Sequence, residues 1–560
     1  MCSCWAVLAL RLVYLQQETQ EEFSKRAERQ QVYVDSIPAR PGEILDRHGR
    51  VLATSVAVQS LWVNPRQIKN PRKFAGQLGP VLGIEPNAFL AELVEKKTRK
   101  FLWVRRRLDA ETVKNVEALN LPPKTMGFRS EFIRQYPQGQ LAAHVLGLRG
   151  IDGRGRGGVE QAFDLVLRGR AGQRSLVRDS RGKVVEVRSS KSTRPQHGKT
   201  VTLTLDIMLQ LIAERELDEL VDQWKPKAAG VIVVEPKSGE ILAMASRPTF
   251  DPNRPVNVPD QAWKNIHIAS CYEPGSTFKP MMVAAALDRG LIRKDETFHC
   301  GWGKYRMGPR LLHDHHAYGL LSLKDVLVKS SNIGMAKIGE RLTNAGLYQA
   351  AIQFGFGRLT GSGLPGEIPG LLRPLPDWTI YSTGSIPMGQ ELSVTPLQLI
   401  MAHAALANGG RLISPQFVRS VGESNSTTVT PSLGRRVTSR VASRETAEWL
   451  VRDAMTDVVK RGTGKKARLR EFSVFGKTGT AQIIDPKTGR YSEKQHVCSF
   501  VGGAPAENPR ILVLVIVDSP SVGTVHYGGT VAAPTAAEVI RRCLNHLQEL
   551  PRERIARKKG

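Results

Sequence analysis

The sequence predicts a multidomain α+β protein, in which an extended N-terminal α+β module precedes a C-terminal domain built on a single sheet. Residues 36–195 mix short strand-like runs with basic loops and contain few long apolar helices. After Val201, two apolar strand patterns come first, a mostly helical stretch over residues 260–460 follows, and three more strand patterns come last. These patterns predict one five-stranded sheet drawn from both ends of the domain, with a helical insert in the middle and a helix packed on its face.

The chain opens with a short apolar stretch, CWAVLALRLVYL, which is interrupted by Arg11. A membrane-spanning helix needs about 20 apolar residues, so residues 1–15 are too short to cross a bilayer. We expect them to be the outer part of a truncated signal anchor whose start is missing from the gene sequence; the alternative is the end of a buried helix. No small-residue cleavage site follows, which argues against a cleaved signal peptide. The polar residues 16–35 predict a juxtamembrane helix.

Four further segments complete the predicted organisation. Residues 36–195 form the N-terminal module, which carries no catalytic motif. Residues 196–225 supply a connecting strand, VTLTLD, and a helix, IMLQLIAERELDELVDQW, whose apolar residues recur near helical spacing. Residues 226–548 form the C-terminal domain, which closes with the helix AAPTAAEVIRRCLNHLQEL, and residues 549–560 form a basic tail.

Basic residues outnumber acidic ones by a wide margin. The chain has 80 Lys and Arg against 52 Asp and Glu, which gives a net charge of +28 and a pI near 10.1. This surplus suggests an anionic partner such as an acidic membrane surface or an anionic polymer, with a general basic bias of the proteome as the alternative. No zinc-finger spacing, aromatic RNA-binding pattern or repeat supports nucleic acid as the partner. The six scattered cysteines form no disulfide framework.

The first catalytic candidate is a Ser-x-x-Lys pattern, which occurs twice. Ser180 and Lys183 lie in a polar turn that leads into a strand, so their side chains would not share a helix face. Ser276 follows Pro-Gly and opens an apolar helix in EPGSTFKPMMVAAALDRG, with Lys279 three residues later. Residues three apart on a helix lie on one side, and a helix N-terminus favours developing negative charge. This arrangement suits a nucleophile and its base.

Lys279 can act as a base only if its pKa falls from about 10.4 towards 7. Burial and a second cation would both lower that pKa, and a shift of about three units corresponds to roughly 4 kcal/mol. The alternative is that Ser276 only caps the helix and that Lys279 is solvated.

Two further motifs favour the catalytic interpretation. The segment VKSSNIGMAKIGE contains Ser330-Ser331-Asn332 before an apolar helix, and FGKTGTAQ contains Lys477-Thr478-Gly479-Thr480 within strand-like sequence. A second Lys-Thr-Gly begins at Lys487, where a preceding Asp-Pro indicates a hairpin turn. Lys477 is therefore the functional candidate. Gly479 is expected to let a substrate backbone lie close to the strand.

The order Ser-x-x-Lys, Ser-x-Asn, Lys-Thr-Gly is the signature of penicillin-recognising acyl-serine enzymes. The whole chain resembles the class B, monofunctional penicillin-binding proteins, most closely the cell-division and sporulation group and next the side-wall elongation group. RPGEILDRHGRVLATS and GGVEQAFDLVLRGRAGQ are similar to motifs of their N-terminal pedestal, a dimerisation-type domain. EPKSGEILAMASRPTFDPN, SIPMGQELSVTPLQLIMAHAALANGG and YGGTVAAPTAAEVI are similar to landmarks of their transpeptidase domain. The resemblance implies an antiparallel five-stranded sheet with helices on its faces, as in serine β-lactamases.

The resemblance also implies a serine D,D-transpeptidase that cross-links peptidoglycan stem peptides during cell division. It implies residual D,D-carboxypeptidase activity as well. Ser276 would attack the carbonyl of the penultimate D-Ala, and Lys279 would take its proton. Ser330 would relay a proton to the leaving D-Ala, and Lys477 would hold the local field positive. Asn332 would hydrogen-bond the substrate amide and help to place Lys279. No cofactor and no metal is implied.

Binding roles follow from the same resemblance. Thr478 and Thr480 would bind the terminal carboxylate, while Ser331 and Gly479 complete the set of substrate-binding residues. The backbone N–H groups of Ser276 and Thr480 would form the oxyanion hole. An amine from a neighbouring stem peptide would then resolve the acyl-enzyme.

Two other functions stay open. A serine β-lactamase shares the three motifs, but the class A type deacylates with a Glu, and no Glu-x-x-Leu-Asn lies between Asn332 and Lys477. A non-catalytic β-lactam sensor or scaffold is the second alternative, and the intact motifs argue against it.

The resemblance implies partners and a location as well. Stem peptides, the lipid-linked precursor and β-lactams would bind the transpeptidase domain. A separate membrane glycosyltransferase and division or elongation proteins would contact the pedestal. The protein would sit in the bacterial plasma membrane through a single N-terminal anchor, with the catalytic domain on the extracytoplasmic side.

One segment, FHCGWGKYRMGPRLLHDHH, is rich in groups that can ligate zinc: His299, Cys300, His313, Asp314, His315 and His316. Their spacing is not that of a zinc finger, so surface histidines beside the substrate cleft are the preferred interpretation. Asp314 is a candidate for the cleft wall.

Overall fold

The computed structural model describes residues 2–17, 32–122, 124–178, 184–422, 430–431, 437–484, 488–524 and 526–557. The first helix, α1 (Cys2–Gln17), exposes apolar side chains along its length, among them Trp5 and Leu10. Within the described residues, no helix combines the length and the apolar character needed to span a membrane.

The predicted juxtamembrane helix over residues 16–35 is wrong at its C-terminal end. Residues 18–31 lie outside the described part of the chain, but the next element is a strand, β1 (Val32–Ile37). It pairs antiparallel with residues 172–177. The β-branched and aromatic residues of VYV favour an extended backbone when a partner strand is present.

The N-terminal domain is built on strands that pair around one long central strand. Its elements are β2 (Ile44–Leu45), β3 (Val51–Val63), α2 (Pro71–Leu82), α3 (Pro86–Glu95), β4 (Leu102–Leu108), α4 (Ala110–Ala118), β5 (Met126–Gln135), α5 (Ala143–Leu146), β6 (Leu148–Arg149), β7 (Gly155–Arg156), α6 (Gly158–Ala162), α7 (Asp164–Arg168), β8 (Gly172–Arg178), β9 (Val184–Thr193) and β10 (Thr200–Leu203). Strand β3 pairs antiparallel with both β4 and β5. Phe74 of α2 and Phe89 of α3 are buried in one core with Leu61 of β3. Among the strand-like runs of this domain, VAVQSLWVNP falls in β3, FLWVRRRL in β4 and GFRSEFIRQYP in β5.

The C-terminal domain contains the predicted five-stranded sheet. Its elements are α8 (Ile207–Trp224), β11 (Ala228–Val234), β12 (Ile241–Arg247), α9 (Ile266–Ala269), α10 (Lys279–Asp288), β13 (Thr297–His299), β14 (Lys304–Met307), β15 (Arg310–His313), β16 (Leu320–Ser322), α11 (Leu323–Val328), α12 (Asn332–Gln353), β17 (Leu371–Leu372), α13 (Ser382–Ser385), β18 (Leu392–Ser393), α14 (Pro396–Ala407), β19 (Arg411–Ile413), β20 (Val418–Gly422), β21 (Thr430–Pro431), β22 (Val437–Arg440), α15 (Arg444–Trp449), α16 (Met455–Arg461), β23 (Phe475–Ile484), β24 (Tyr491–Ala504), β25 (Ile511–Asp518), α17 (Gly528–Val531) and α18 (Ala533–Arg557). The strand order is β12-β11-β25-β24-β23, and every neighbouring pair is antiparallel.

Helices cover both faces of this sheet. On one face, Leu217 of α8 and Val539 of α18 pack in the same core as Val231 and Val513 of the sheet. On the other face, Ile232 and Leu514 join the core of α10 and α14. Because both faces are covered, β25 reads ILVLVIV in sequence rather than as an alternation of apolar and polar residues.

The insert between the two strand groups differs from the mostly helical segment that the sequence predicts. Short strands, β13 to β22, lie among its helices, and each has only two to five residues. Such strands are too short to produce a recognisable alternation. Strand β20 pairs antiparallel with β10, which in turn runs parallel to β2. The insert therefore extends the sheet of the N-terminal domain, and the two domains share backbone hydrogen bonds.

Candidate active site

Ser276 lies in a 3-10 turn, Gly275–Phe278, that runs directly into α10. Gly275 has a φ of 53°, a left-handed conformation that glycine adopts without steric strain. Helix α10 begins at Lys279, and Pro280 at its second position needs no N–H acceptor. The α-helix thus begins three residues after Ser276. The N–H of Ser276 lies in the first turn, where helical N–H groups have no acceptor within the helix.

The amine of Lys279 is fully buried and bonded to the Ser-x-Asn motif. Its Nζ donates to the Ser330 carbonyl oxygen at 2.7 Å and to Asn332 Oδ1 at 2.9 Å. The Ser330 Oγ at 3.2 Å and the Ser331 carbonyl oxygen at 3.3 Å complete the set of acceptors. Among the described residues, the Ser276 hydroxyl has no hydrogen-bond partner, so Lys279 reaches Ser330 rather than its neighbour one turn away.

A second buried amine approaches Ser330 from the sheet. Lys477 of β23 donates its Nζ to Ser330 Oγ at 3.1 Å and to the Thr478 carbonyl oxygen at 3.1 Å. The Ser330 hydroxyl therefore lies within hydrogen-bond distance of both lysine amines. Ser330 has a φ of 60°, a left-handed conformation that costs a non-glycine residue of order 1 kcal/mol and that is concentrated at functional sites.

Burial changes the proton affinity of both amines. It lowers the pKa of Lys279 to about 7, and the nearby Asp314 carboxylate opposes this fall. Burial also lowers the pKa of Lys477 well below its ordinary value, and repulsion from Lys279 lowers it further. A pKa near 7 suits a lysine that acts as a base at neutral pH.

Asp314 does not belong to the cleft wall, where the sequence analysis had placed it as a candidate. Its Oδ1 accepts the backbone N–H groups of Asn332 at 2.5 Å and Ile333 at 3.1 Å, and its Oδ2 accepts the Ser331 hydroxyl at 2.6 Å. A carboxylate at a helix N-terminus is favourable, because the free N–H groups point towards it. Asp314 thus caps the N-terminus of α12, and its hydrogen bonds fix the positions of Ser331 and Asn332.

Gly479 also has a different role from the expected one. A Cβ on this residue would lie 2.5 Å from Ser499 Oγ, 2.9 Å from Thr277 Cγ2 and 3.1 Å from the Pro274 carbonyl oxygen. The space that the glycine leaves open is therefore filled by protein, not left for a substrate. The missing side chain lets β23 pack directly on the turn that holds Ser276.

Thr478 and Thr480 are fixed by residues that the sequence analysis did not single out. Thr478 Oγ1 and Thr463 Oγ1 are 2.7 Å apart, within hydrogen-bond distance. Thr480 Oγ1 accepts the N–H of Gly528 at 3.0 Å. Gly528 lies in YGGTVAAPTAAEVI, a segment similar to a landmark of the transpeptidase domain, so the sequence contained a signal for this contact. Nothing in the local sequence indicates the role of Thr463.

An open cleft of about 830 Å³ brings the candidates together. Five predicted site residues line it: Ser276, Ser330, Asn332, Thr478 and Thr480. Lys279 and Lys477 do not line the cleft, but both contact Ser330 Oγ, which does. Ser331 and Gly479 do not line it either, because they pack against other residues of the protein. The other Ser-x-x-Lys pair, Ser180 and Lys183, and the second lysine candidate, Lys487, fall outside the described residues.

The cleft has a basic rim and several histidines. Arg310, Lys329, Arg461, Lys465 and Lys466 line it, and so do His313, His315 and His316. His313, His315 and His316 therefore lie beside the cleft, as the interpretation of surface histidines expects. His299 is exposed but does not line the cleft, and Cys300 is buried. Within the described part of the chain, no three His, Cys, Asp or Glu side chains are grouped so that they could hold a metal ion.

Comparisons with known families and proteins agree with this geometry. The penicillin-binding protein transpeptidase domain matches residues 229–541, and the penicillin-binding protein dimerisation domain matches residues 36–203. The probable peptidoglycan D,D-transpeptidase PenA of Neisseria gonorrhoeae is 34% identical over 551 residues, which cover 98% of this chain and 91% of PenA. Stage V sporulation protein D of Bacillus subtilis is 35% identical over 559 residues, which cover 99% of this chain and 85% of that protein.

A solved structure is similar over both domains. The crystal structure of penicillin binding protein 3 from Mycobacterium tuberculosis, complexed with aztreonam, superposes with a TM-score of 0.71 at 27% identity. The match covers 92% of this chain and 97% of that chain. The motif order, the five-stranded sheet and the full-length similarity lead to one conclusion: the chain belongs to the class B penicillin-binding proteins.

Proposed function

We propose that this protein is a peptidoglycan D,D-transpeptidase that forms its acyl-enzyme on Ser276. The observation that carries the proposal is the meeting of three separate motifs at one hydroxyl. Ser330 Oγ lies 3.2 Å from the Lys279 amine and 3.1 Å from the Lys477 amine, in the cleft that Ser276 lines. A nucleophile, a lysine with a lowered pKa and a proton relay are the parts that acyl transfer needs.

In the acylation step, Ser276 Oγ attacks the carbonyl carbon of the penultimate D-Ala of a stem peptide. Lys279 takes the hydroxyl proton, since its pKa near 7 leaves a large neutral fraction at neutral pH. A C–O bond forms and the amide C–N bond breaks. The leaving D-Ala amine takes a proton from Ser330, whose hydroxyl is resupplied through its contact with Lys279.

The terminal carboxylate of the stem peptide binds near Lys477, Thr478 and Thr480. An approaching carboxylate raises the pKa of a buried amine, because an opposite charge favours the charged form. Substrate binding would therefore favour the protonated form of Lys477, which burial disfavours. The N–H groups of Ser276 and Thr480 stabilise the oxyanion, the largest electrostatic contribution expected in acyl transfer.

In the second step, the amine of a neighbouring stem peptide attacks the ester carbonyl and releases Ser276. The basic rim fits this role, because stem peptides carry carboxylates. Lys329, Lys465 and Lys466 line the cleft, and none of them forms an ion pair within 4 Å in the described part of the chain. They are available for an anionic substrate.

We extend the proposal to partners and location. The protein acts on peptidoglycan outside the plasma membrane, anchored by a segment that includes α1, whose exposed apolar side chains support a membrane contact. A separate membrane glycosyltransferase supplies the glycan strands, and division or elongation proteins bind the N-terminal domain. The basic surplus adds a contact with anionic lipid.

Labelled penicillin tests the site assignment. The full-length protein should be acylated once, and peptide mapping by mass spectrometry should locate the label on Ser276. Ser276→Ala should abolish labelling while leaving the thermal midpoint unchanged, and Ser180→Ala should label like the parent. A label on Ser180 or Ser330 would contradict the assignment.

A second measurement separates the enzyme from the two other functions. Given a stem peptide and a D-amino acid acceptor, the protein should release D-Ala and form the exchanged peptide. Rapid hydrolysis of penicillin would instead indicate a β-lactamase. A stable acyl-enzyme without any peptide turnover would indicate a β-lactam sensor.

A further inference from the structure

A second cavity lies between the two domains, away from the cleft that Ser276 lines. It encloses about 710 Å³, a size typical of small-ligand sites. The N-terminal domain lines it with residues between 107 and 158, and the C-terminal domain with residues 250–269 and 364–366. We call it the interdomain cavity.

The lining of the interdomain cavity is strongly basic. Five cationic side chains line it, Arg107, Arg134, Arg149, Arg156 and Lys264, and none of the described lining residues is Asp or Glu. Three of these cations form ion pairs with carboxylates that do not line the cavity. Arg134 and Arg149 share the buried Glu160, and Arg156 pairs with Asp152.

The remaining two cations, Arg107 and Lys264, have no carboxylate within 4 Å in the described part of the chain. Arg107 Nη2 donates to the Gly150 carbonyl oxygen at 3.4 Å. The charges that act on Arg107 are the Arg106 guanidinium and the Glu131 carboxylate, which pair with each other. An anion in the cavity would therefore balance excess positive charge.

The backbone of Arg107 points to a ligand site as well. Between the pairs Gln59–Leu108 and Leu61–Arg105, strand β4 contains one more residue than β3, which makes Arg107 part of a β-bulge. Its φ of 60° is left-handed, and its N–H donates to Ser60 Oγ at 2.9 Å. Bulges redirect side chains, and strained residues of this kind are concentrated at functional sites. Here the bulge turns a half-buried arginine to the cavity.

The C-terminal side of the cavity adds an aromatic surface. The rings of Phe250 and Trp263 have centroids 4.6 Å apart, and Trp263 is 40% exposed. An aromatic face offers apolar contact area to a flat ligand, and the indole N–H supplies a polar edge. Lys264 follows directly in sequence, which places a cation beside this surface.

We propose that the interdomain cavity binds an anionic saccharide, with the carboxylate at Arg107 and Lys264 and a sugar ring against Trp263. The site lies where contacts join the two domains. Tyr136 N–H donates to Asn253 Oδ1 at 2.9 Å, Asn253 Nδ2 donates to the Tyr136 carbonyl at 2.9 Å, and His144 Nε2 is 2.8 Å from the Ala262 carbonyl. A bound ligand therefore contacts both domains at their joint. This proposal does not depend on the reaction at Ser276.

A matched pair of sugars tests the proposal on the full-length protein. Methyl β-D-glucuronide and methyl β-D-glucoside differ only in the carboxylate. Titration followed by ligand-observed NMR should give a millimolar dissociation constant for the glucuronide and at least tenfold weaker binding of the glucoside. Equal binding of both sugars, or no binding of the glucuronide at about 10 mM, would overturn the proposal.

Variants locate the binding. Arg107→Gln and Lys264→Gln should each weaken glucuronide binding about tenfold and leave penicillin labelling unchanged. Lys264 is exposed, so its variant reports on binding even if Arg107→Gln lowers the thermal midpoint. Lys465→Gln, in the rim of the Ser276 cleft, is the matched control and should bind the glucuronide like the parent. If only the control variant loses binding, the sugar occupies the cleft, and the proposal is wrong.

Inorganic phosphate separates a saccharide site from a general anion site. We expect phosphate to bind more weakly than the glucuronide, because it cannot use the aromatic surface. Trp263→Ala should weaken glucuronide binding and leave phosphate binding unchanged. If phosphate competes with equal affinity and Trp263→Ala has no effect on either ligand, the saccharide assignment is overturned.

Discussion

The pH at which Ser276 can be deprotonated depends on the buried amine of Lys279. Lys279 accepts a proton only in its neutral form, and burial brings its pKa to about 7. The neutral fraction grows as pH rises, so the rate of penicillin acylation at Ser276 should increase about tenfold per pH unit below 7 and level off above about 8. Stopped labelling reactions across this pH range measure it. A midpoint near 10, the ordinary lysine value, would contradict a base whose pKa is lowered by burial.

Asp314 should influence this midpoint without contacting the substrate. Its carboxylate raises the pKa of Lys279 against the effect of burial, so Asp314→Asn should move the acylation midpoint to lower pH. Loss of the charge at the start of α12 should also cost about 1 kcal/mol of stability. The plateau rate should fall severalfold, because Asn332 is held less firmly. The acylation pH profile and a thermal melt measure the two effects.

The matched control for Asp314 is another helix cap. Asp109 accepts the N–H of Thr112 at 2.7 Å at the start of α4 in the N-terminal domain. Asp109→Asn should lower stability only slightly, since Asn also caps a helix, and should leave the acylation midpoint where it is. If both variants leave the midpoint unchanged, Asp314 acts only as a helix cap.

The difference between Ser276 and Asp314 illustrates what the sequence can predict about single residues. Ser276, Ser330 and Lys477 belong to short motifs whose spacing is visible in the chain. Asp314 contacts a motif 18 residues later, and the short elements β16 and α11 lie between them. Contacts of this kind depend on how these elements fold back, so local sequence does not reveal them. The same reason explains why Thr463, the partner of Thr478, was missed.

At the scale of elements, the packing of β23 on the turn Gly275–Phe278 sets the width of the cleft. Gly479→Ala would place a Cβ 2.5 Å from Ser499 Oγ and 2.9 Å from Thr277 Cγ2, so the strand and the turn must separate. We expect the acylation rate to fall by more than tenfold and stability to fall by about 1–3 kcal/mol. Penicillin labelling kinetics and a thermal melt of the same sample measure both quantities.

A glycine with open space around it provides the control. Gly76 lies within α2, and a Cβ there would have nothing within 4 Å. Gly76→Ala should raise stability by up to about 1 kcal/mol, since alanine favours a helix, and should leave acylation unchanged. If Gly479→Ala acylates at the parental rate, the strand does not need this close approach.

Long elements were predictable and short ones were not. The strands of the central sheet have seven or more residues, and α8 begins and ends where the apolar spacing predicts. By contrast, β20 has five residues, and its partner β10 lies more than 200 positions earlier in the chain. Pairing over such a distance depends on the tertiary fold, which local patterns do not encode. The strand at residues 32–37 was missed for a related reason, because its partner residues are 172–177.

At the scale of the whole molecule, the two domains are joined by several kinds of contact. Strand β20 extends the sheet of the N-terminal domain, and Arg47 of that domain pairs with Glu240 of the C-terminal domain at 3.1 Å. The interdomain cavity lies beside further hydrogen bonds of the joint. A ligand or partner that binds the N-terminal domain therefore acts on a domain that is hydrogen-bonded to the C-terminal domain.

The net charge of +28 is a property of the whole chain, and it predicts salt-dependent membrane binding. Some basic residues are already engaged: Arg106 pairs with Glu131, and Arg105 donates to the Leu82 carbonyl. The basic residues of the tail, 552–559, are the better candidates for lipid. Each basic residue near an anionic surface contributes about 1 kcal/mol. Replacing the five tail Lys and Arg by Gln should therefore weaken binding to anionic vesicles by at least about tenfold.

Sedimentation of the full-length protein with vesicles tests this prediction. Neutral vesicles measure binding through the apolar residues of α1, and anionic vesicles add the electrostatic contribution of the basic residues. Binding through α1 should be equal for both kinds of vesicle and nearly independent of salt, since it depends on apolar contact. The extra binding to anionic vesicles should disappear towards 1 M salt, where the screening length is about 3 Å. Penicillin acylation should vary little over the same salt range, because a small soluble β-lactam needs only the cleft. If anionic and neutral vesicles bind equally at low salt, the basic surplus has no role at the membrane, and attachment depends on the N-terminal segment alone.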